Sequence, residues 1–414
     1  MTELGCIADD FTGATDLAGN LVATGRRTVV TVGPPDAPVP DTDAVVVALK
    51  TRTVAADAAV AAALGAHRAL AALGCTRFWF KYCSTFDSTP LGNIGPVTDA
   101  LLAATGAPWT VACPAFPAAG RTVYQGHLFV GDRLLSESGM REHPLTPMTD
   151  SDLLRVLGAQ TSHRVGLLPY AALRAGGDAV RRHLEGLARD GVRIVVTDTL
   201  DTQDLSAVER ATRHLPLLTG GSGLALALPR ARAAATATDI EAAPGPTAVL
   251  AGSVSQATLA QIAHARERMP HRRLDPAEVL AAPEQAVART VSWARAHLAT
   301  RRSVLIHSAG ERADVVRAQA DFGAGRAGEA MERALARCAR GLADAGVRRF
   351  VVAGGETSGA VVEALGVRLL RIGPAIAPGV PWTAARRRGR TLNLVLKSGN
   401  FGGEDLFTTT EEHL

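Results

Sequence analysis

The chain has 414 residues, of which 47% are hydrophobic, 20% charged and 4% aromatic, and a formal net charge of +4. That length suits two domains with cores of their own. No eighteen-residue apolar run argues for a membrane span, the mild charge does not point to nucleic acid, and five scattered cysteines (Cys6, Cys75, Cys83, Cys113, Cys338) make no disulfide or zinc scaffold.

Apolar runs alternate with helical patterns, as in α/β proteins with largely parallel sheets. In chain order, strands are predicted at Leu4–Ala8, Thr28–Val32, Ala44–Leu49, Phe78–Tyr82, Trp109–Ala112, Val165–Leu168, Ile194–Thr197 and Leu215–Leu218. Helices are predicted over Ala55–Leu73, Ala171–Asp190 and Leu205–Arg213. Val123–Leu135 alternates apolar and polar residues about Gly131-Asp132 and reads as a β-hairpin inserted into the sheet order. Pro229–Pro246 has no clean period and reads as a linker. Strands then follow at Ala248–Ala251, Val304–Ile306, Phe350–Val352 and Leu394–Leu396, with helices at Gln256–Arg268, Pro283–Leu298 and Gly328–Ala345. The expected organisation is two α/β domains, 1–230 and 247–414, with a linker over 231–246. The opening MTELGCIADD lacks the pattern of a signal peptide, so a cytoplasmic protein is expected.

The 44 basic residues comprise 41 arginines and only Lys50, Lys81 and Lys397 as lysines. A lysine retained against such a bias marks a place where a guanidinium cannot replace a compact ammonium.

Ligands of open parallel sheets bind beyond the carboxyl ends of strands. The first strand ends in Asp9-Asp10-Phe11-Thr12-Gly13-Ala14-Thr15-Asp16. Asp10 or Thr12 can cap the following helix, which leaves a second acid without a structural purpose. The third strand ends in Lys50-Thr51-Arg52, and the fourth in Lys81-Tyr82-Cys83-Ser84-Thr85-Phe86-Asp87-Ser88-Thr89. Ammonium, hydroxyl and carboxylate groups at one sheet edge suit a small oxygen-rich anion. Cys83 has no neighbouring base, and the sixteen-residue spacing of His127 and His143 fits no metal motif.

Three strand–glycine turns follow in the second domain: Gly252–Thr258 with Ser255, Ala353–Gly359 with Gly354, Gly355, Glu356 and Thr357, and Lys397–Gly403 with Gly399 and Asn400. Backbone N–H groups at helix N-termini bind phosphate, so together these turns predict a nucleotide site. No lysine follows a glycine, which excludes a Walker A loop. The G-x-G-x-x-G match Gly323–Gly328 stands some fourteen residues past its strand and does not fit a dinucleotide fold.

DDFTGATD (Asp9–Asp16), KYCSTFDST (Lys81–Thr89), GGETSG (Gly354–Gly359) and KSGNF (Lys397–Phe401) resemble the four-carbon acid sugar kinases. NIGPV (Asn93–Val97), CPAFP (Cys113–Pro117), GRTVYQGHLFVGD (Gly120–Asp132) and HPLTPMTDS (His143–Ser151) are most similar to the branch acting on 3-oxo-tetronate. The resemblance implies a substrate domain followed by a nucleotide domain, with ATP and Mg²⁺ phosphorylating the C4 hydroxyl of 3-oxo-tetronate. D-Threonate or D-erythronate is the alternative acceptor, and a sugar-acid sensor the alternative of another class. The substrate residues are then Asp9, Asp10, Arg52, Lys81, Tyr82, Cys83 and Ser84, with Asp10 and Lys81 catalytic. Ser255, Gly354, Gly355, Glu356, Thr357, Lys397, Gly399 and Asn400 would hold ATP. Partners are then a sugar acid and ATP, without nucleic acid or membrane; a homo-oligomer is compatible with this reading.

Overall fold

Short, mostly apolar runs form the first sheet: β1 (Leu4–Ala8), β2 (Thr28–Val32), β3 (Ala44–Ala48), β4 (Arg77–Lys81), β5 (Thr110–Cys113), β9 (Arg164–Leu168), β10 (Val192–Thr197) and β11 (Leu217–Gly220). This is a computed structural model describing residues 2–143, 145–231, 240–300, 302–308 and 324–414, in two units, Met1–Ala237 and Thr238–Leu414. In the first unit the strand order is β2-β3-β1-β4-β11-β5-β10-β9, and every pairing is parallel. β1 and β3 are buried along their whole length, as expected of strands covered on both faces. The chain leaves β1 for β2, returns to β3 on one side of β1, and crosses to β4 on the other. That reversal opens a crevice beyond the carboxyl ends of β1, β3 and β4.

The second unit contains β12 (Thr247–Ala251), β13 (His271–Arg273), β14 (Val304–His307), β15 (Arg349–Ala353), β16 (Leu369–Ala377), β17 (Val380–Arg387) and β18 (Arg390–Lys397). Their order is β13-β14-β12-β15-β18-β17-β16, parallel as far as β18 and antiparallel beyond it. The reversal recurs here, between β12 and β15.

Two expectations are corrected. Val123–Leu135 is not a hairpin within the main sheet; β6 (Arg121–Tyr124), β7 (His127–Val130) and β8 (Arg133–Leu134) form a separate antiparallel sheet. Its first turn is Gln125-Gly126, both at positive φ, with Gly131-Asp132 making only the second. The helix expected over Ala171–Asp190 is two, Tyr170–Arg174 and Gly177–Arg189, interrupted by Gly176 at φ 101°. The strands β13, β16 and β17 and the helix Ile94–Thr105 had no counterpart in the sequence reading. Much of the expected linker, Gly323 of the glycine run and Pro144 of the HPLTPMTDS segment lie outside the described residues.

Candidate active site

Asp9 and Asp10 follow β1 directly. Asp10 caps the helix Phe11–Ala23: its Oδ1 accepts from the Gly13 N–H at 2.8 Å and its Oδ2 from Thr12 Oγ1 at 2.6 Å. A Cβ on Gly13 would lie 2.4 Å from Asp10 Oδ1 and 3.1 Å from Lys81 Nζ, so only glycine lets this turn close over both groups. Arg52, beyond β3, places Nε 2.9 Å from Asp9 Oδ2 and Nη2 2.8 Å from Asp9 Oδ1. The same Nη2 is 2.8 Å from Asp10 Oδ1, while Nη1 stands 3.6 Å from Asp87 Oδ2, outside hydrogen-bond range. Asn93 Nδ2 fixes this loop by donating to the Thr51 and Arg52 carbonyls.

Lys81 ends β4 with 2% exposure; its Nζ donates to the Tyr82 carbonyl at 2.8 Å and lies 3.9 Å from Asp16 Oδ2. The Tyr82 side chain faces the core, its hydroxyl 3.1 Å from Thr219 Oγ1 and its ring edge-on to Phe80 and Phe86, so only its backbone remains at the crevice. Thr85 Oγ1 donates to Asp87 Oδ1 at 2.6 Å and is 2.9 Å from Cys83 Sγ. Ser84 is buried beside them.

The carboxyls differ in proton affinity. Burial raises Asp10, but Arg52, Lys81 and the Thr12 and Gly13 hydrogen bonds together hold it below the usual carboxylate range. At Asp9 burial outweighs Arg52, so its carboxyl is raised. Asp16 is pushed up to about 6 by burial against the pull of Lys81. Its Oδ1 is buried, and the Ser222 hydroxyl beside it draws the carboxyl part of the way back down. Burial pushes the Cys83 thiol up to about 12, too high for a nucleophilic thiolate. Asp16 lies within the DDFTGATD segment, but nothing in its spacing singles it out. The only signal in the sequence was an acid two turns into an apolar helix.

In the second unit Ser255 caps the helix Gln256–Arg266, and its Oγ also donates to the Gly399 carbonyl at 2.5 Å. Thr258 Oγ1 donates to the same carbonyl at 2.8 Å. Gln261 Nε2 donates to the carbonyls of Phe401, Gly402 and Gly403 at 3.0, 3.1 and 2.9 Å. Lys397 donates to Thr258 Oγ1, Ser398 O and Gly399 O. Gly354, at φ 120°, opens the helix Gly355–Ala364, which carries Glu356 and buried Thr357. A Cβ on Gly252 would lie 2.1 Å from Thr357 Oγ1, and one on Gly399 would lie 2.5 Å from Ser253 Oγ. The three turns therefore meet: 252–258, 353–359 and 397–403 form one surface beyond β12, β15 and β18. Asn400 is exposed on it.

Among the described residues no three metal-binding side chains cluster, and no helix is long and apolar enough to cross a membrane. The cysteines are free, and all but Cys83 are buried.

A sugar-binding N-terminal domain model matches residues 4–228, and a nucleotide-binding C-terminal domain model matches 248–407. A 3-oxo-tetronate kinase from Burkholderia multivorans is 54% identical over 412 residues, covering 98% of this chain and 95% of the relative. The chain belongs to the four-carbon acid sugar kinase family. A 3-oxo-tetronate kinase from Pectobacterium atrosepticum is 47% identical, covering 100% of this chain and 99% of the relative. Among solved structures, a Salmonella typhimurium LT2 protein described as a tRNA synthase superposes with a TM-score of 0.86 at 43% identity, covering 100% of both chains. A Haemophilus influenzae protein gives 0.75 at 41% identity, covering 99% of each.

Proposed function

We propose that this chain is an ATP-dependent kinase that phosphorylates the C4 hydroxyl of 3-oxo-tetronate. The observation that carries the reading is the whole-length similarity to 3-oxo-tetronate kinases, which spans both the Asp9–Asp87 crevice and the glycine surface. Kinases work chiefly by positioning and by neutralising phosphate charge. The first unit offers carboxylates and hydroxyls to the substrate's hydroxyls, and Arg52 Nη1 with Lys81 to its carboxylate. Arg52 commits Nε and Nη2 to Asp9 and Asp10, which fixes the plane of the fork and leaves Nη1 for the ligand.

Asp10 has both oxygens engaged and a lowered pKa, so its role is to orient Arg52 and to cap the helix. Asp16 is the better proton acceptor, with a pKa raised to about 6 by burial. As the C4 oxygen bonds to the γ-phosphorus and the bond to ADP breaks, the hydroxyl proton passes to Asp16. The glycine surface holds the phosphates through backbone N–H groups at the helix starts after Ser255 and Gly354. Mg²⁺ supplies charge neutralisation to the phosphates when bound. With no three-ligand cage among the described residues, it would arrive on ATP, Glu356 being the acid of the turn nearest to support it. We place the reaction in the cytoplasm, where free thiols persist.

A coupled assay of ADP release tests this with 3-oxo-tetronate, D-threonate and D-erythronate in parallel. The highest kcat/KM is expected for the oxo acid. Preference for another acid would overturn the substrate, and no ADP release with any of them would overturn the kinase.

A further inference from the structure

Lys397 has no solvent exposure, and its Nζ donates to Thr258 Oγ1 at 3.1 Å, Ser398 O at 2.9 Å and Gly399 O at 2.8 Å. As an ammonium Nζ places all three protons on neutral oxygens; as a free amine it keeps the two carbonyls as acceptors and takes the Thr258 hydroxyl as its donor, and among the described residues no carboxylate pairs with it. A buried cation with no counter-charge is costly. Its neighbours from the helix Gln256–Arg266, Thr258 and Gln261, are uncharged. The surrounding turns carry Glu356, Glu404 and Asp405 as titratable groups, and none of them perturbs it; burial alone lowers its pKa to about 7.

The same contacts set the turn that follows. The carbonyls of Ser398, Gly399, Phe401, Gly402 and Gly403 are all captured from the side of Lys397, Ser255, Thr258 and Gln261. In a planar trans peptide the next residue's N–H points the opposite way from each carbonyl. The N–H groups of residues 399, 400, 402, 403 and 404 are therefore turned outward together. Those of Gly399, Gly402 and Gly403 donate to no other described residue. Successive outward N–H groups form an anion-binding nest.

We propose that Lys397 never touches the nucleotide but gains its charge with it: phosphate seated on this nest supplies the missing counter-charge, and the lysine takes up one proton from solvent as ADP or ATP binds. The proposal rests on the second unit being the nucleotide site. Lys397 is then a positioning residue whose protonation is linked to binding, because a nearby anion favours the charged form of an amine.

Calorimetric titration of the full chain with ADP, in buffers of different ionisation enthalpy, reads the proton directly. Above pH 8 the ADP phosphates are fully ionised, so uptake there belongs to the protein. At pH 8.5 uptake approaching one proton per ADP is expected, with affinity falling about tenfold per pH unit between pH 8 and 9. Lys397→Met should abolish both the uptake and the slope. Should that variant not fold, Lys397→Arg, whose guanidinium stays charged, must abolish them too. ADP binding without uptake at pH 8.5, or with unchanged uptake in either variant, overturns the proposal. Failure to bind ADP at all would instead overturn the nucleotide-site reading beneath it.

Discussion

Arginine outnumbers lysine 41 to three in this chain, yet both strands that end at a lysine do so at a candidate site. Lys81 and Lys397 each turn Nζ onto the carbonyl of the next residue, at 2.8 and 2.9 Å, in sites with 2% and 0% exposure. A planar guanidinium with five donors cannot enter such a space without leaving donors unpaired. Lys81→Arg and Lys397→Arg should each lower kcat/KM at least roughly tenfold, beyond the usual effect of a conservative change; near-normal values in both would make the lysines incidental. Asp10 and Asp16 separate by another measurement. Asp16→Asn should lower kcat by roughly 10²–10⁴ and remove the acid limb of the pH–rate profile near pH 6. It should also raise Tm at neutral pH, since it removes a buried carboxylate that folding makes costly to ionise. Asp10→Asn should instead lower Tm and raise KM by disturbing Arg52. Asp10 and Lys81 were legible because each abuts an apolar strand. Asp16 was not, because a polar letter inside a helix does not reveal whether its oxygens find partners.

At the scale of elements, the turn after β18 is held by side chains of one helix. Gln261→Leu removes the donor to three carbonyls, those of Phe401, Gly402 and Gly403. It should raise the Kd for ADP about tenfold or more while leaving the sugar-acid KM unchanged, because losing a buried donor costs about 1–3 kcal/mol; equal changes in both would locate the damage elsewhere. Gly354→Ala places a Cβ at φ 120°, 3.2 Å from Ser253 N and from Thr357 Oγ1. It should lower stability by about 1–3 kcal/mol in urea titration. The parallel strands were legible as uniform apolar runs. β16 was hidden by Gly373-Pro374 in its middle, and β17 by its proline and its arginine-rich end. The helix Ile94–Thr105 was hidden by Gly95-Pro96 in its first turn. The Val123–Leu135 alternation was rightly β, but periodicity carries no information about which sheet a strand joins.

Across the whole molecule, both units run out from a central strand, back beside it and over to its other flank, β1-β2-β3-β4 in one and β12-β13-β14-β15 in the other. No repeat is visible in the letters, because strand order is a property of crossovers rather than of composition. The two buried ionisable groups shape stability against pH in opposite directions. Asp16 titrates near 6 when folded and 3.8 otherwise, so its contribution is full below pH 3.8 and is lost as pH rises through 6. Lys397 titrates near 7 when folded and 10.5 otherwise, so its contribution is full above pH 10.5 and is lost as pH falls through 7. Urea titrations should show Asp16→Asn flattening the acid limb and Lys397→Met the alkaline limb, by a few kcal/mol at most; unchanged limbs would mean these groups titrate normally. The sealing of two lysines has a further consequence for chemical labelling. Lys50 is exposed while Lys81 and Lys397 are not, so an amine-acylating reagent meets one lysine on the folded chain and three on the unfolded one. Peptide mapping of the acylated chain then reports the opening of each unit separately, through Lys81 in the first and Lys397 in the second.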